Sequence, residues 1–135
     1  MQIDSIHPSS WKPASGYSNG MLVTGAARTL YLAGQVAWDA DQNIVGRGDF
    51  VAQIRQVLAN IAAILDEAGG KPEHLVRLTI FVLDKHDYMG SLREIGAAYR
   101  EVLGRHFPAM SLVQVAALLE DGALLEIEAT AALPA

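Results

Sequence analysis

Apolar residues recur at two different periods along this chain, and the switches between them mark out its elements. Over Asp49–Ala68, the residues Phe50, Ile54, Val57, Leu58, Ile61, Leu65 and Ala68 fall three and four positions apart, which is the spacing of one helix face. Gln53, Gln56, Asn60 and Glu67 supply much of its polar side. Asp49 suits the N-cap, Gly69-Gly70 ends the helix, and Pro72 prevents its resumption. A second helix is predicted over Asp87–Leu103, with Tyr88, Leu92, Ile95, Tyr99 and Val102 as its stripe and Gly104 at its end. Between them Leu75–Leu83 is the most strand-like run. Val76, Leu78, Ile80 and Val82 make one wholly apolar face, and Leu75, Arg77, Thr79, Phe81 and Leu83 make a mixed one.

Gln2–Ile6, Met21–Thr24 and Thr29–Val36 read as further strands, with a prolyl and seryl loop over Pro8–Ala14 and a hairpin-like connection at Gly25–Arg28. Gly34 interrupts the side-chain row of its strand, as at a bulge or a close approach by another group. The C-terminal stretch reads as a hairpin. Ser111–Leu118 and Ala123–Ala131 flank Leu119–Gly122, with Asp-Gly as the turn signal. In the last strand Leu125, Ile127, Ala129 and Ala131 share one face, and Leu124, Glu126, Glu128 and Thr130 share the other. The order β-β-β-α-β-α-β-β predicts an α/β or α+β fold with a mixed sheet. Two helices cover only one side of such a sheet, so its second face is expected to pack against other subunits.

A chain of 135 residues fits one domain, residues 1–135, without internal repeats or linkers. Apolar residues make up 51% and charged residues 19%, a composition that forms a core. Net charge is −5 with no basic run, which argues against nucleic acid as a partner. The absence of cysteine excludes disulfides, thiolate nucleophiles and Cys-based metal sites. The N-terminus lacks the pattern of a signal peptide, and no apolar run reaches the ~20 residues of a membrane span. A cytoplasmic protein without membrane attachment is the expectation.

Phosphate-loop, dinucleotide-binding and nucleophile-elbow patterns are all missing. His7, His74, His86 and His106 show no metal-ligand spacing, so no metal site is expected. His74 and His86 read as surface residues flanking the fourth strand. His106, beside Arg105 at a helix end, suits the helix dipole or a ligand. Tyr17 sits in a Gly/Ser/Asn loop, either capping the core edge or facing a site. Tyr31, inside a strand, reads as core, and Trp38 as packing or interface. Glu126 and Glu128 either solvate an exposed sheet face or mark a polar site on it.

Several stretches together resemble the RidA/YjgF family of small trimeric proteins. They are Gly16-Tyr17-Ser18-Asn19, Leu30–Val36 (LYLAGQV), the helix Gln53–Gly69, Leu78–Val82 (LTIFV), Phe107–Ser111 (FPAMS) and Leu125–Ala129 (LEIEA). The resemblance implies a chorismate-mutase-like fold, a six-stranded mixed sheet with two helices on one face, assembling as a homotrimer around a central barrel. It implies clefts between subunits that, in active members, hydrolyse enamines or imines to a keto acid and ammonia, with no cofactor. It assigns Tyr17 and Glu126 catalytic roles in the cleft, Glu126 positioning or activating the attacking water. It makes Gly34 the glycine whose backbone faces the substrate. Met110, Gly96 and Trp38 complete the candidate substrate contacts.

Met110 departs from the family pattern, because deaminases of this family carry an arginine after Phe-Pro-Ala to pair with the substrate carboxylate. Gly96 stands where many members have asparagine. A thioether offers neither the charge nor the paired hydrogen bonds of a guanidinium. Losing charge-assisted bonds of ~1.5–3 kcal/mol weakens carboxylate binding by roughly ten- to hundred-fold. Arg105, His106 and Arg28 are the candidates for a replacement charge. A small-molecule ligand in the cleft is expected under both leading readings. One is an imine hydrolase that avoids amino-acid-derived imines, and the other is a non-catalytic metabolite-binding or interaction module. The ribonuclease label that some members carry ranks third, against the acidic charge.

Overall fold

The computed structural model describes residues 1–135. The Asp49 carboxyl accepts a hydrogen bond from the Ala52 N–H at 3.0 Å and starts helix α1, Phe50–Glu67, satisfying one of the free donors of its first turn. Phe50, Ile54, Val57, Leu58, Ile61 and Leu65 are buried along one face as their spacing requires. Each Leu or Ile so buried contributes roughly 1.5–3 kcal/mol. The predicted second helix is divided. A short α2, Lys85–Met89, stops at Gly90, and α3 runs from Leu92 to Leu103. Gly90-Ser91 supplies the break: the Gly90 and Ser91 N–H groups close back onto His86 and Tyr88, and a new helix begins.

The strands are β1 (Gln2–Ile6), β2 (Gly20–Thr24), β3 (Arg28–Gln35), β4 (Leu75–Val82), β5 (Ala109–Gln114) and β6 (Leu125–Leu133). Four of them form a mixed sheet in the order β3-β6-β4-β5, antiparallel except for the parallel pair β4–β5. β1 and β2 form an antiparallel ribbon, which a bridge between Ser18 and Ala109 joins to the far edge of β5. Helices α1 and α3 pack together against one face, over Leu78, Ile80, Val82, Leu125, Ile127 and Ala129. The architecture is α+β, with two main helices on a mixed sheet as the resemblance implies, although the six strands divide into a four-stranded sheet and a two-stranded ribbon.

The pairing differs from expectation in three places. First, β5 and β6 are not a hairpin, because β4 lies between them and hydrogen-bonds to both. The turn at Asp121-Gly122 forms, with Ala123 N–H on Glu120 O and Gly122 at φ +86°, but the connecting loop spans two strand spacings, about 10 Å. Second, β2 pairs with β1, and the Gly25 turn leads to a strand that pairs with β6 instead. Third, a register shift between Leu75 and Arg77 turns Leu75 into the core together with Leu78, although strict alternation puts them on opposite faces. Tyr31 is 79% exposed and stands on the open face, not in the core, because its row points away from the helices.

Candidate functional site

Gln53 organises the ends of the connecting segments. Its side chain is wholly buried in α1. The amide nitrogen donates to the carbonyls of Gly46 (3.1 Å) and Gly122 (2.9 Å), and its oxygen accepts from the Leu124 N–H at 2.8 Å. One polar side chain on an otherwise apolar stripe thus fixes the loop before α1 and the turn before β6. The register of β6, and with it the position of Glu126, follows from that turn.

Glu126 pairs with Phe81 of β4 and points to the face opposite the helices, since its neighbour Ile127 is buried beneath them. Across the β3–β6 pair the register slips between Leu32 and Gln35, the bulge that Gly34 suggests in the sequence. A side chain at Gly34 would displace the Glu126 carboxyl from its present place. A Cβ at this position would lie 2.8 Å from Cδ and 3.0 Å from Cγ of Glu126. The Glu126 carboxyl therefore rests on bare backbone, and it makes no hydrogen bond or ion pair within the chain.

Tyr17, Met110 and Gly96 gather elsewhere. Ser18 is buried, its N–H donates to Pro108 O (3.0 Å) and its hydroxyl to Phe107 O (2.5 Å), so the loop is tied to the start of β5 with Tyr17 beside it. Met110 and Leu112 pair with Leu78 and Ile80 and share their helix-side face. Ile95, Gly96, Tyr99 and Arg100 succeed one another at helical spacing along α3. Together these elements enclose a largely apolar cavity of about 700 Å³. Tyr88 and Tyr99 line it with neutral phenols, because burial raises the pKa of both and, for Tyr99, the nearby Tyr88 adds to the effect. The Tyr99 hydroxyl donates to His106 O, and its ring stacks on Phe107 at 5.4 Å.

Trp38 takes no part in this lining. It lies in the loop after β3, where Asn60 (2.9 Å) and Gln56 (3.2 Å) of α1 donate to its carbonyl, and its buried indole N–H has no partner in the chain. The three cations proposed as substitutes are also elsewhere. Arg28 donates to Pro134 O and Ala68 O, clamping the end of β6 to the end of α1. His106 is bonded through Nε2 to Leu75 O at 2.6 Å. A carbonyl only accepts, so that nitrogen carries a proton and serves the fold. Arg105 is exposed and outside the cavity. His7 and Asn19 share a bond at 3.1 Å, and His74 accepts from the Lys71 N–H at 3.0 Å. No three His, Asp or Glu side chains converge as a metal site.

Of the cavity-lining residues, the sequence pointed only to Tyr17, Gly96 and Met110. Arg100 is the single charged side chain on the cavity wall. Its position four residues after Gly96 on a helix was legible as a neighbour relation. That both face a cavity was not.

Residues 8–133 match the family profile described as Endoribonuclease L-PSP. A RutC family protein of Synechocystis sp. is 36% identical over 128 residues, covering 90% of this chain and 89% of that protein. The human 2-iminobutanoate/2-iminopropanoate deaminase is 34% identical over 115 residues, covering 85% of this chain and 78% of that protein. The crystal structure of YyfB from Yersinia pestis, a protein of the conserved Rid family, superposes with a TM-score of 0.85 at 38% identity over 98% of this chain and 100% of that one. No helix of the chain is long and apolar enough to cross a membrane. With a profile match over residues 8–133 and relatives more than 30% identical across most of both chains, this chain belongs to the RidA/YjgF family.

Proposed function

We propose that this protein is an imine or enamine hydrolase whose cleft forms between subunits of a homotrimer. The observation that carries the proposal is the Glu126 carboxyl held against the bare backbone of Gly34 with every oxygen free of protein partners. A free carboxyl on a rigid strand, beside a backbone with no side chain, leaves room for a water and a flat substrate. Water adds to the C=N carbon as Glu126 takes its proton and passes it to the nitrogen, giving the carbinolamine. Glu126 then relays the carbinolamine hydroxyl proton to the nitrogen as the C–N bond breaks, so that R₂C=NH and H₂O become R₂C=O and NH₃ and the carboxylate is regenerated. The Tyr17 phenol, the Gly34 backbone and Gly96 shape the cleft. The human relative's name, an iminobutanoate deaminase, supports the reaction class.

The assembly is inferred from the sheet. Tyr31 and Val113 stand exposed on the face away from the helices, and Leu119 is fully exposed on the loop before β6. Neighbouring copies would cover these residues and bring a Glu126–Gly34 surface to a Tyr17–Met110 surface, which one chain keeps on opposite sides of its sheet. Met110 in an apolar wall favours substrates other than α-imino acids whose carboxylate lies next to the imine carbon.

The same methionine favours a second reading, a cleft that binds an apolar metabolite without turnover. Ammonia release from imines generated in situ separates the two. The wild-type protein is expected to release ammonia, and Glu126→Gln to lower kcat about 10²–10⁴-fold, the range for losing a general base. A wild-type protein inert towards carboxylated and uncharged imines alike would refute the hydrolase and leave the binding module.

A further inference from the structure

We propose that Arg100 is the anion-binding residue of the cavity and that Gly96 is its enabling partner, so that the ligand is an apolar molecule bearing one carboxylate. The inference rests on the cavity being the ligand cleft of the preceding reading, and it names the class of molecule the cleft takes.

Arg100 is the one charged side chain among the cavity residues, and most of the others are apolar. Its guanidinium makes no ion pair and no hydrogen bond within the chain, where the single ion pair joins Arg55 and Glu101. Instead it lies over Gly96, one helical turn back. A Cβ at position 96 would stand 3.2 Å from its Nη1, a contact that would push the side chain away. Glycine is a poor helix former, and Gly96 has no left-handed backbone that demands it. At this position a glycine leaves the guanidinium a few tenths of an ångström more room beside the helix than alanine would.

The chemistry favours a monoanion. A single guanidinium offers two parallel hydrogen bonds to a carboxylate, and no second cation lines the cavity for a dianionic phosphate. A net charge of −5 opposes further negative charge. The apolar walls formed by Leu92, Ile95, Met110 and Leu112 suit a hydrocarbon or aryl body. The volume of about 700 Å³ lies within the range of small-molecule sites.

The test is calorimetric titration of the full-length protein, in its own oligomeric state, with 3-phenylpropanoate and with the neutral 3-phenylpropanamide. The wild type is expected to prefer the carboxylate by about tenfold, the low end for a charge-assisted pair because Arg100 is solvent-exposed. Arg100→Gln is expected to remove the preference while amide binding stays the same. Gly96→Ala, which displaces the guanidinium without removing it, is expected to reduce the preference, and Arg105→Gln to retain it. Circular dichroism and sedimentation of each variant establish that it is folded and assembled. A preference that survives in Arg100→Gln would overturn the proposal, as would equal affinities, or no binding of either probe, in the wild type. A carboxylate preference in a protein that releases no ammonia would uphold the anion site while refuting the hydrolase.

Discussion

Replacing Gln53 with methionine keeps the volume of the side chain and removes all three of its hydrogen bonds. The Leu124 N–H loses its acceptor at 2.8 Å, and the carbonyls of Gly46 and Gly122 lose donors at 3.1 and 2.9 Å. An unpaired buried donor costs about 1–3 kcal/mol, and a carbonyl with a second lone pair near a loop costs less. The sum is about 2–4 kcal/mol, against a total stability of about 5–15 kcal/mol for a domain. For a chain of this size that lowers Tm by about 6–16 °C, as read by calorimetry at one fixed protein concentration. The functional consequence is specific. Gln53 holds the turn that leads into β6, so its loss loosens Leu124 and Leu125 and displaces Glu126. Ammonia release is expected to fall more steeply than the folded fraction at 25 °C. Gln53→Glu separates the two halves of the bond set, because its carboxyl still accepts from Leu124 N–H but faces two carbonyls with oxygen. A Tm within 2 °C of wild type for Gln53→Met would refute the reasoning, since it would mean that this buried amide does not hold the two loops.

Other substitutions probe the site from different sides. Gly34→Ala places a methyl group 2.8 Å from Cδ of Glu126, a flexible side chain that swings aside, so it is expected to leave denaturant unfolding within about 1 kcal/mol of wild type while displacing the carboxyl and abolishing most ammonia release. Met110→Arg restores a guanidinium to β5, and titration with an α-keto acid as a stable analogue is expected to show at least a tenfold gain in affinity. Burial raises the Tyr99 pKa above its usual 10.0, so the folded state holds a proton that the unfolded state loses. The resulting stability is full below pH 10 and declines above it, by at most about 1.4 kcal/mol per pH unit for one such group. Tyr99→Phe is expected to flatten the alkaline limb of the stability profile, and an unchanged slope between pH 10 and 11 would count against a protonated, buried phenol.

The local elements were legible because they follow from the spacing of side chains within one segment. The stripe from Phe50 to Leu65, the Asp49 cap, the alternation from Leu125 to Ala131 and the β3 interruption at Gly34 all appear in the structure where the sequence puts them. Family membership was legible for a related reason: short stretches in a fixed order, from Gly16-Tyr17-Ser18-Asn19 to Leu125–Ala129, identify the fold together where none does so alone. Strand pairing was not legible. A strand's partner is chosen by contacts between distant segments, and the Asp121-Gly122 signal holds equally for a hairpin and for a turn at the end of a loop that crosses β4. Exposure followed the same rule. Tyr31 has the sequence of a core strand residue, and only the position of α1 and α3 decides that its face is open. Glu126 and Glu128 are equivalent by alternation, and the β3 bulge at Gly34 is what brings one of them against bare backbone. Arg100 shows the limit most plainly. One segment gives its distance from Gly96 along a helix, but the cavity it faces is made by β4, β5, β6, α1 and the Tyr17 loop together, and only the packing of those elements turns a surface arginine into a candidate ligand-binding group.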